Sequence, residues 1–178
     1  QRQMCIRDSP HDKAGYFDVA PVDKGENVRR EVCLTLEQMG LVLESSHHES
    51  GPGQNEIDFK HDTGLISADN FITAKIAIKT IANLNGLYAS FLPKPLKNES
   101  GSGFHINLSI AKDGKNLFKT DNEHSQEAES FIAGILDRLK EITAILNPTV
   151  NSYKRFGSHE APKYVTWSHK NRSQLIRI

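Results

Sequence analysis

The chain has 178 residues, enough for one ordinary domain of about 100 to 200 residues. Its 22 Lys and Arg balance 22 Asp and Glu, which excludes the surplus of cations that a dedicated nucleic-acid binder carries to neutralise phosphates. With 37% apolar and 25% charged residues the composition is that of a folded chain, and its 2 cysteines, Cys5 and Cys33, supply neither a disulfide framework nor a CxxC zinc pair.

Free thiols fit a reducing compartment, so a cytoplasmic location is expected. No stretch reaches the roughly 18 uninterrupted apolar residues of a membrane span. The best run, Phe71 to Leu92, is broken by Lys75, Lys79, Asn83 and Asn85. Neither nucleic acid nor membrane is therefore an expected partner.

Residues 1–9 lack the apolar core of a secretory signal and any pattern that continues past Pro10; they are set aside as an unmatched segment that could be foreign to the fold. Asp23 and Glu26 then have the spacing of a capping box, and Val28, Val32, Leu36 and Met39 recur at helical intervals before a stop at Gly40. Leu41 to His48 reads as a strand and Gly51-Pro52-Gly53 as a turn. A second strand comes next, in which Ile57 and Phe59 alternate with Glu56, Asp58 and Lys60. From about Ser67 to Asn85 the set Phe71, Ala74, Ile78 and Ile81 predicts a helix closed by Gly86, and Leu87 to Leu92 predicts another strand.

Pro93 to Gly103 is a loop whose glycines permit close backbone approach to a ligand. Beyond it Phe104, Ile106, Leu108 and Ile110 alternate with His105, Asn107 and Ser109, which predicts a strand with three polar groups on one face. Asp113-Gly114 marks a hairpin turn. Ala128, Ile132, Ile135, Leu139, Ile142 and Leu146 form a long helical stripe ended by Asn147-Pro148, and the tail from Thr149 returns to loops and short strands. Mixed strands and helices without repeats predict an α+β fold: a largely antiparallel curved sheet with flanking helices.

Several groups could carry chemistry. Glu49 and Glu56 flank a turn where adjacent strands could bring two carboxylates to one point, and paired oxygens suit Mg²⁺ or Mn²⁺. His105 stands on the polar side of its expected strand, and Glu160 lies in a loop where it could act as a mobile acid or base. Arg155, Arg172 and Arg177 offer guanidinium forks suited to carboxylates and phosphates. Taken singly, each also reads as a solvated or hydrogen-bonded polar group. No GxxxxGK[ST] and no GxGxxG occurs, so a nucleotide would be held by neither a P-loop nor a Rossmann turn.

Read in order, the blocks Gly15-Tyr-Phe-Asp18, His47-His-Glu49, Gly53-Gln-Asn-Glu-Ile-Asp-Phe59, Lys94-Pro95, Gly101-Ser-Gly-Phe-His105, Asn151-Ser-Tyr-Lys-Arg155, Glu160-Ala-Pro162 and Asn171-Arg-Ser173 with Arg177 resemble glutamine synthetase of the bacterial type. The resemblance covers the catalytic domain from about His11 to Ile178. It implies an ATP-dependent ligase that phosphorylates the side-chain carboxylate of glutamate and lets ammonia displace phosphate, giving glutamine. It also implies two or more divalent metals, Mg²⁺ or Mn²⁺, with Glu49 and Glu56 matching ligands of one and His105 a ligand of the other. Arg155 and Gly101 match contacts to glutamate. Arg172 and Arg177 match positions near the transferring and ATP phosphates, and Glu160 matches the flap glutamate that shields the acyl phosphate and takes a proton from ammonium. Ser109, Asn107 and Glu44 match nucleotide-site positions, although Asn107 replaces a histidine of many members. Ser100 stands where the family usually has Asn, and the interval from Arg155 to Glu160 is one residue shorter than the commonest pattern.

Residues 10–178 would then be a partial catalytic domain, lacking the N-terminal β-grasp domain and the C-terminal part, and inactive by itself. The complete protein would be a homo-oligomeric ring, a dodecamer in the family, with glutamate, ammonia and ATP as partners. Two other readings remain open: a γ-glutamyl ligase for a larger amine such as a polyamine, and a non-catalytic paralogue that binds nucleotide or glutamate.

Overall fold

The computed structural model describes residues 2–6, 9–119, 124–157, 159, 161–171 and 173–178. The chain divides after Phe104 into two units. The first contains β1 (Arg2–Ile6), β2 (Ser9–Pro10), α1 (Glu26–Gln38), β3 (Leu43–His48), β4 (Gln54–Phe59), α2 (Gly64–Leu84) and β5 (Tyr88–Ser90). Its five strands form one antiparallel sheet in which β1 pairs with β2, β4 and β5, and β4 pairs with β3. The segment before residue 10, which carries no pattern by itself, thus supplies the strand that joins the β3–β4 hairpin to β5.

Both long helices of this unit end as their glycines predict. Gly40 has φ of 90° and donates to Glu37, while Leu41 N–H reaches back to Leu36 O. Gly86, with φ of 72°, and Leu87 repeat the pattern on Asn83 and Ala82. These are Schellman ends, in which a left-handed residue returns the chain so that the next apolar side chain meets the helix it has left. Leu36, Leu41, Ala82 and Leu87 are all buried accordingly. Together with Val28, Val32, Ala74, Ile78, Ile81 and Ala89 they form the core between the two helices and the sheet, with Leu43, Ile57 and Phe59 packed against it.

The start of α1 departs from the expected capping box. Gly25 is the N-cap, Asp23 accepts from the N–H of Gly25 at 2.8 Å, and Glu26 accepts from Ala20. The carboxylate of Asp23 is taken instead by Arg29, 2.8 Å away, because a buried guanidinium needs a counter-charge.

The second unit holds β6 (Ala111–Lys112), β7 (Lys115–Asn116), α3 (Gln126–Leu146), α4 (Val150–Tyr153), β8 (Tyr164–Ser168) and β9 (Gln174–Arg177). Asp113 and Gly114, with φ of 52° and 76°, make the hairpin turn between β6 and β7. Ser125 caps α3 by accepting from Ala128 N–H at 3.1 Å. The short α4 has a Thr149–Ser152 capping box that a reading of the tail as loops and strands overlooks. β8 and β9 are parallel, so they form the one exception among the described residues to antiparallel pairing in this α+β fold. The expected strand over residues 104–110 is not formed among the described residues, and Phe104 to Ile110 are exposed on both alternating sets. Alternation prepares two faces, but a strand exists only where a neighbour takes its backbone hydrogen bonds. No described helix is long and apolar enough to cross a membrane.

Candidate metal centre

The β3–β4 hairpin builds the site. Its register sets His47 opposite Glu56 and His48 opposite Asn55, and directly opposed residues of an antiparallel pair share a face. Glu49 comes directly after the last residue of β3, and its N–H donates to Gln54 O at 2.8 Å, closing the turn. One carboxylate oxygen of Glu49 accepts from Ser50 N–H at 2.6 Å, and the other lies 3.9 Å from His47 Nε2. His47, Glu49 and Glu56 offer donor atoms all within 4.8 Å of one another.

An aromatic wall backs this cluster. Phe17 stacks on the His47 ring at 4.3 Å with 12° between planes, and Tyr16 meets the same ring edge-on at 5.6 Å. Phe17 N–H donates to His48 O, and Gly15 N–H donates to Asp18, so the turn carrying both aromatics is tied at two points. Phe17 has φ of 59°, an uncommon backbone for a bulky residue that the surrounding bonds must hold in place.

Both nitrogens of His47 are buried without a hydrogen-bond partner. An unsatisfied imidazole facing two carboxylates is costly by itself and becomes satisfied by a cation that all three groups can ligate. The roughly 3.0 to 4.2 Å between ligands of an octahedral ion held at about 2.1 Å lies within the 4.8 Å bound on these donor atoms. The donor set therefore fits a divalent metal. His47 joins the two carboxylates as a third donor, a role that its place in the His47-His-Glu49 block does not by itself assign.

A second group of acidic and histidine side chains, Asp12, Asp23 and His48, is buried and already engaged by other partners. Asp12 accepts from the N–H groups of Gly53, Ala14 and Lys24 and from His48 Nε2. Burial would raise the Asp12 carboxyl, but the Gly53 N–H, the hydrogen bond and charge of His48, and the Ala14 N–H outweigh it and hold the group below the ordinary 3.8. Asp23 is paired with Arg29, which also donates to Asn55 Oδ1 at 2.5 Å. These groups are thus engaged with one another, with backbone N–H groups and with Arg29.

The loop after β5 is pinned to the hairpin. Gln54 Nε2 donates to Gly101 O at 3.0 Å, Ser102 N–H donates to Pro93 O, and Lys94 Nζ donates to Glu99 O. Gly101 is buried, so the structure places this expected substrate-loop residue in contact with the hairpin that carries Glu49 and Glu56. Glu44 is exposed at the bulge between Leu43 and Ser45 and stands outside the cluster.

In the second unit His105, Asn107 and Ser109 are exposed on the segment without regular structure. Their expected shared strand face is therefore absent, for want of a neighbouring strand among the described residues. Arg155 is half-buried after α4 and donates to His159 O at 3.4 Å, while Arg177 ends β9 and is exposed. Glu160 and Arg172 lie outside the described residues.

The sequence matches the family model described as "Glutamine synthetase, catalytic domain" over residues 2–178. It is 54% identical over 171 residues to a glutamine synthetase of Clostridium saccharobutylicum, covering 94% of this chain and 39% of that protein. It is 51% identical to a glutamine synthetase of Methanosarcina mazei, covering 94% of this chain and 38% of the relative. The chain thus spans about two fifths of the length of the curated relatives it matches. Among solved structures it superposes on a Plasmodium falciparum glutamine synthetase with a TM-score of 0.88 at 34% identity, over 93% of this chain and 33% of that one. A GmaS/ADP complex gives the same TM-score of 0.88 at 29% identity, over 99% of this chain and 45% of the other.

Proposed function

This chain belongs to the glutamine synthetase catalytic-domain family, and we propose on that premise that it carries part of the active site of a cytoplasmic enzyme that joins ammonia to glutamate at the expense of ATP. The observation that carries this reading is the convergence of Glu49, Glu56 and the unpartnered His47 at one end of the β3–β4 hairpin, beside the pinned Gly101 loop. Glu49 and Glu56, with His47, hold one divalent cation, Mg²⁺ or Mn²⁺, and His105 contributes to a second. When bound, such cations neutralise charge on the phosphates so that an anionic carboxylate can approach them.

In the reaction a side-chain carboxylate oxygen of glutamate attacks the γ-phosphorus of ATP, and the bond to ADP breaks. Ammonia then attacks the acyl carbon of the γ-glutamyl phosphate, and phosphate leaves. Arg155 pairs with the α-carboxylate of glutamate through a guanidinium fork, and the Gly101 backbone sets the distance of the same substrate. Arg172 and Arg177 supply fixed positive charge to the phosphates, and Ser109, Asn107 and Glu44 contact the nucleotide. Glu160 takes the proton from ammonium and keeps water from the acyl phosphate.

The rest of the site comes from parts of a longer protein, assembled as a homo-oligomeric ring. The test is phosphate release by the full-length protein with ATP, Mg²⁺, glutamate and either ammonia or a polyamine. Release with ammonia is expected. Release with polyamines alone would transfer the reading to a ligase for larger amines, and none with any acceptor would point to a non-catalytic binding paralogue.

A further inference from the structure

His48 is fully buried, at 0% exposure, and both of its ring nitrogens are engaged. Nδ1 lies 2.6 Å from the backbone oxygen of Glu49, and Nε2 lies 3.0 Å from Asp12 Oδ1. A peptide carbonyl can only accept, so Nδ1 is the donor to Glu49 O, and Nε2 faces the Asp12 carboxylate. The Glu49 peptide is therefore gripped on both sides: its N–H by Gln54 O and its C=O by His48. Asp12 is the anchor of that grip. The same carboxylate takes N–H groups from Ala14 at 3.3 Å, Lys24 at 3.1 Å and Gly53 at 2.9 Å, which ties His48 to the chain before α1 and to the turn that carries Glu49.

A turn of Glu49-Ser-Gly-Pro-Gly is open to many backbone geometries, and its two glycines cannot themselves select one. We propose that the Asp12–His48 pair is a positioning device that fixes the Glu49 peptide, and with it the direction of the Glu49 carboxylate toward His47 and Glu56. The inference rests on the reading of Glu49 as a cation ligand. The fold itself does not need the bond from His48 to Glu49, since the β3–β4 ladder and the hydrophobic core hold the hairpin independently.

Two variants of one residue separate positioning from plain support. In His48→Asn the amide nitrogen takes the place of Nδ1, donating to Glu49 O but unable to reach Asp12. In His48→Gln it takes the place of Nε2, donating to Asp12 but leaving Glu49 O without its donor. Mn²⁺ affinity is read by electron paramagnetic resonance of the free ion in the full-length protein, alongside Tm measured in chelator. His48→Gln is expected to lose about tenfold in Mn²⁺ affinity, the lower end of what partners of metal ligands contribute. His48→Asn is expected to lose less, about threefold, despite a lower Tm, since it gives up the Asp12 anchor but keeps the bond to the ligand's own peptide. Affinities that fall in step with Tm in both variants, or an unchanged affinity in His48→Gln, overturn the proposal. If neither variant folds, Asp12→Asn is compared with Ile78→Val, a core change remote in sequence, and equal Mn²⁺ affinities overturn it. Glu49→Ala serves as the control: if that variant binds Mn²⁺ as the parent does, the reading of Glu49 as a ligand fails, and the positioning role fails with it for a different and recognisable reason.

Discussion

Asp12 is the residue on which the first unit's polar chemistry turns. Its carboxylate satisfies three backbone N–H groups and His48, and those of Gly53 and Ala14 together with His48 hold its pKa below 3.8 against the opposing effect of burial. A carboxyl whose folded pKa is depressed contributes stability that is complete above its unfolded pKa and is lost as pH falls through the folded value. Asp12→Asn should therefore destabilise the protein more at about pH 6 than at about pH 3, which lies below the unfolded value of 3.8, so that part of the contribution is already gone. Urea unfolding at the two pH values measures this, and an equal loss at both would remove the linkage. None of it was legible in the sequence. Asp12 sits in a polar stretch with no periodic pattern, and its partners lie as far as 41 positions away. Glu49 and Glu56 were legible as a pair because they flank a turn between alternating segments, whereas His47 became a candidate donor only once its nitrogens were seen buried and unpartnered.

At the scale of elements, the helices are where local sequence and structure agree most closely. The apolar intervals of α1 and α2 face one core, and the glycine after each supplies the left-handed residue that a Schellman end requires. Gly40 allows a clean measurement, since a methyl group added there would meet nothing within 4 Å. Gly40→Ala should thus cost only the strain of a left-handed alanine, about 1 to 2 kcal/mol, offset in part by a less flexible unfolded chain. A denaturant melt with an unchanged midpoint would show that the end of α1 is not held in that conformation. Strands are less legible than helices because a strand is a relation between two segments. β1 has no internal signature and is defined by β4 and β5, while residues 104–110 have the alternation and, among the described residues, no ladder.

For the whole molecule, the proposed roles fall in both units: Glu49 and Glu56 are on the hairpin of the first, and His105 and the proposed glutamate-binding Arg155 are in the second. Arg155→Ala in the full-length enzyme should then raise the KM for glutamate about tenfold or more, as expected for loss of a charge-assisted fork, and leave Mn²⁺ affinity unchanged. Steady-state kinetics with metal titration separates the two effects, and a change confined to metal binding would reassign Arg155. The sequence by itself determined the family, the principal helices and where they stop, the hairpin turns and the identity of the paired carboxylates, because periodicity, turn residues and motif order are local properties of the chain. Only the tertiary structure decided that residues 2–6 complete a sheet, that the ring nitrogens of His47 are buried beside an aromatic wall and two carboxylates, and that Asp12 and His48 grip the Glu49 peptide. Those features arise from burial and hydrogen bonding between segments distant along the chain, and no local pattern encodes which distant acceptor a buried donor will find.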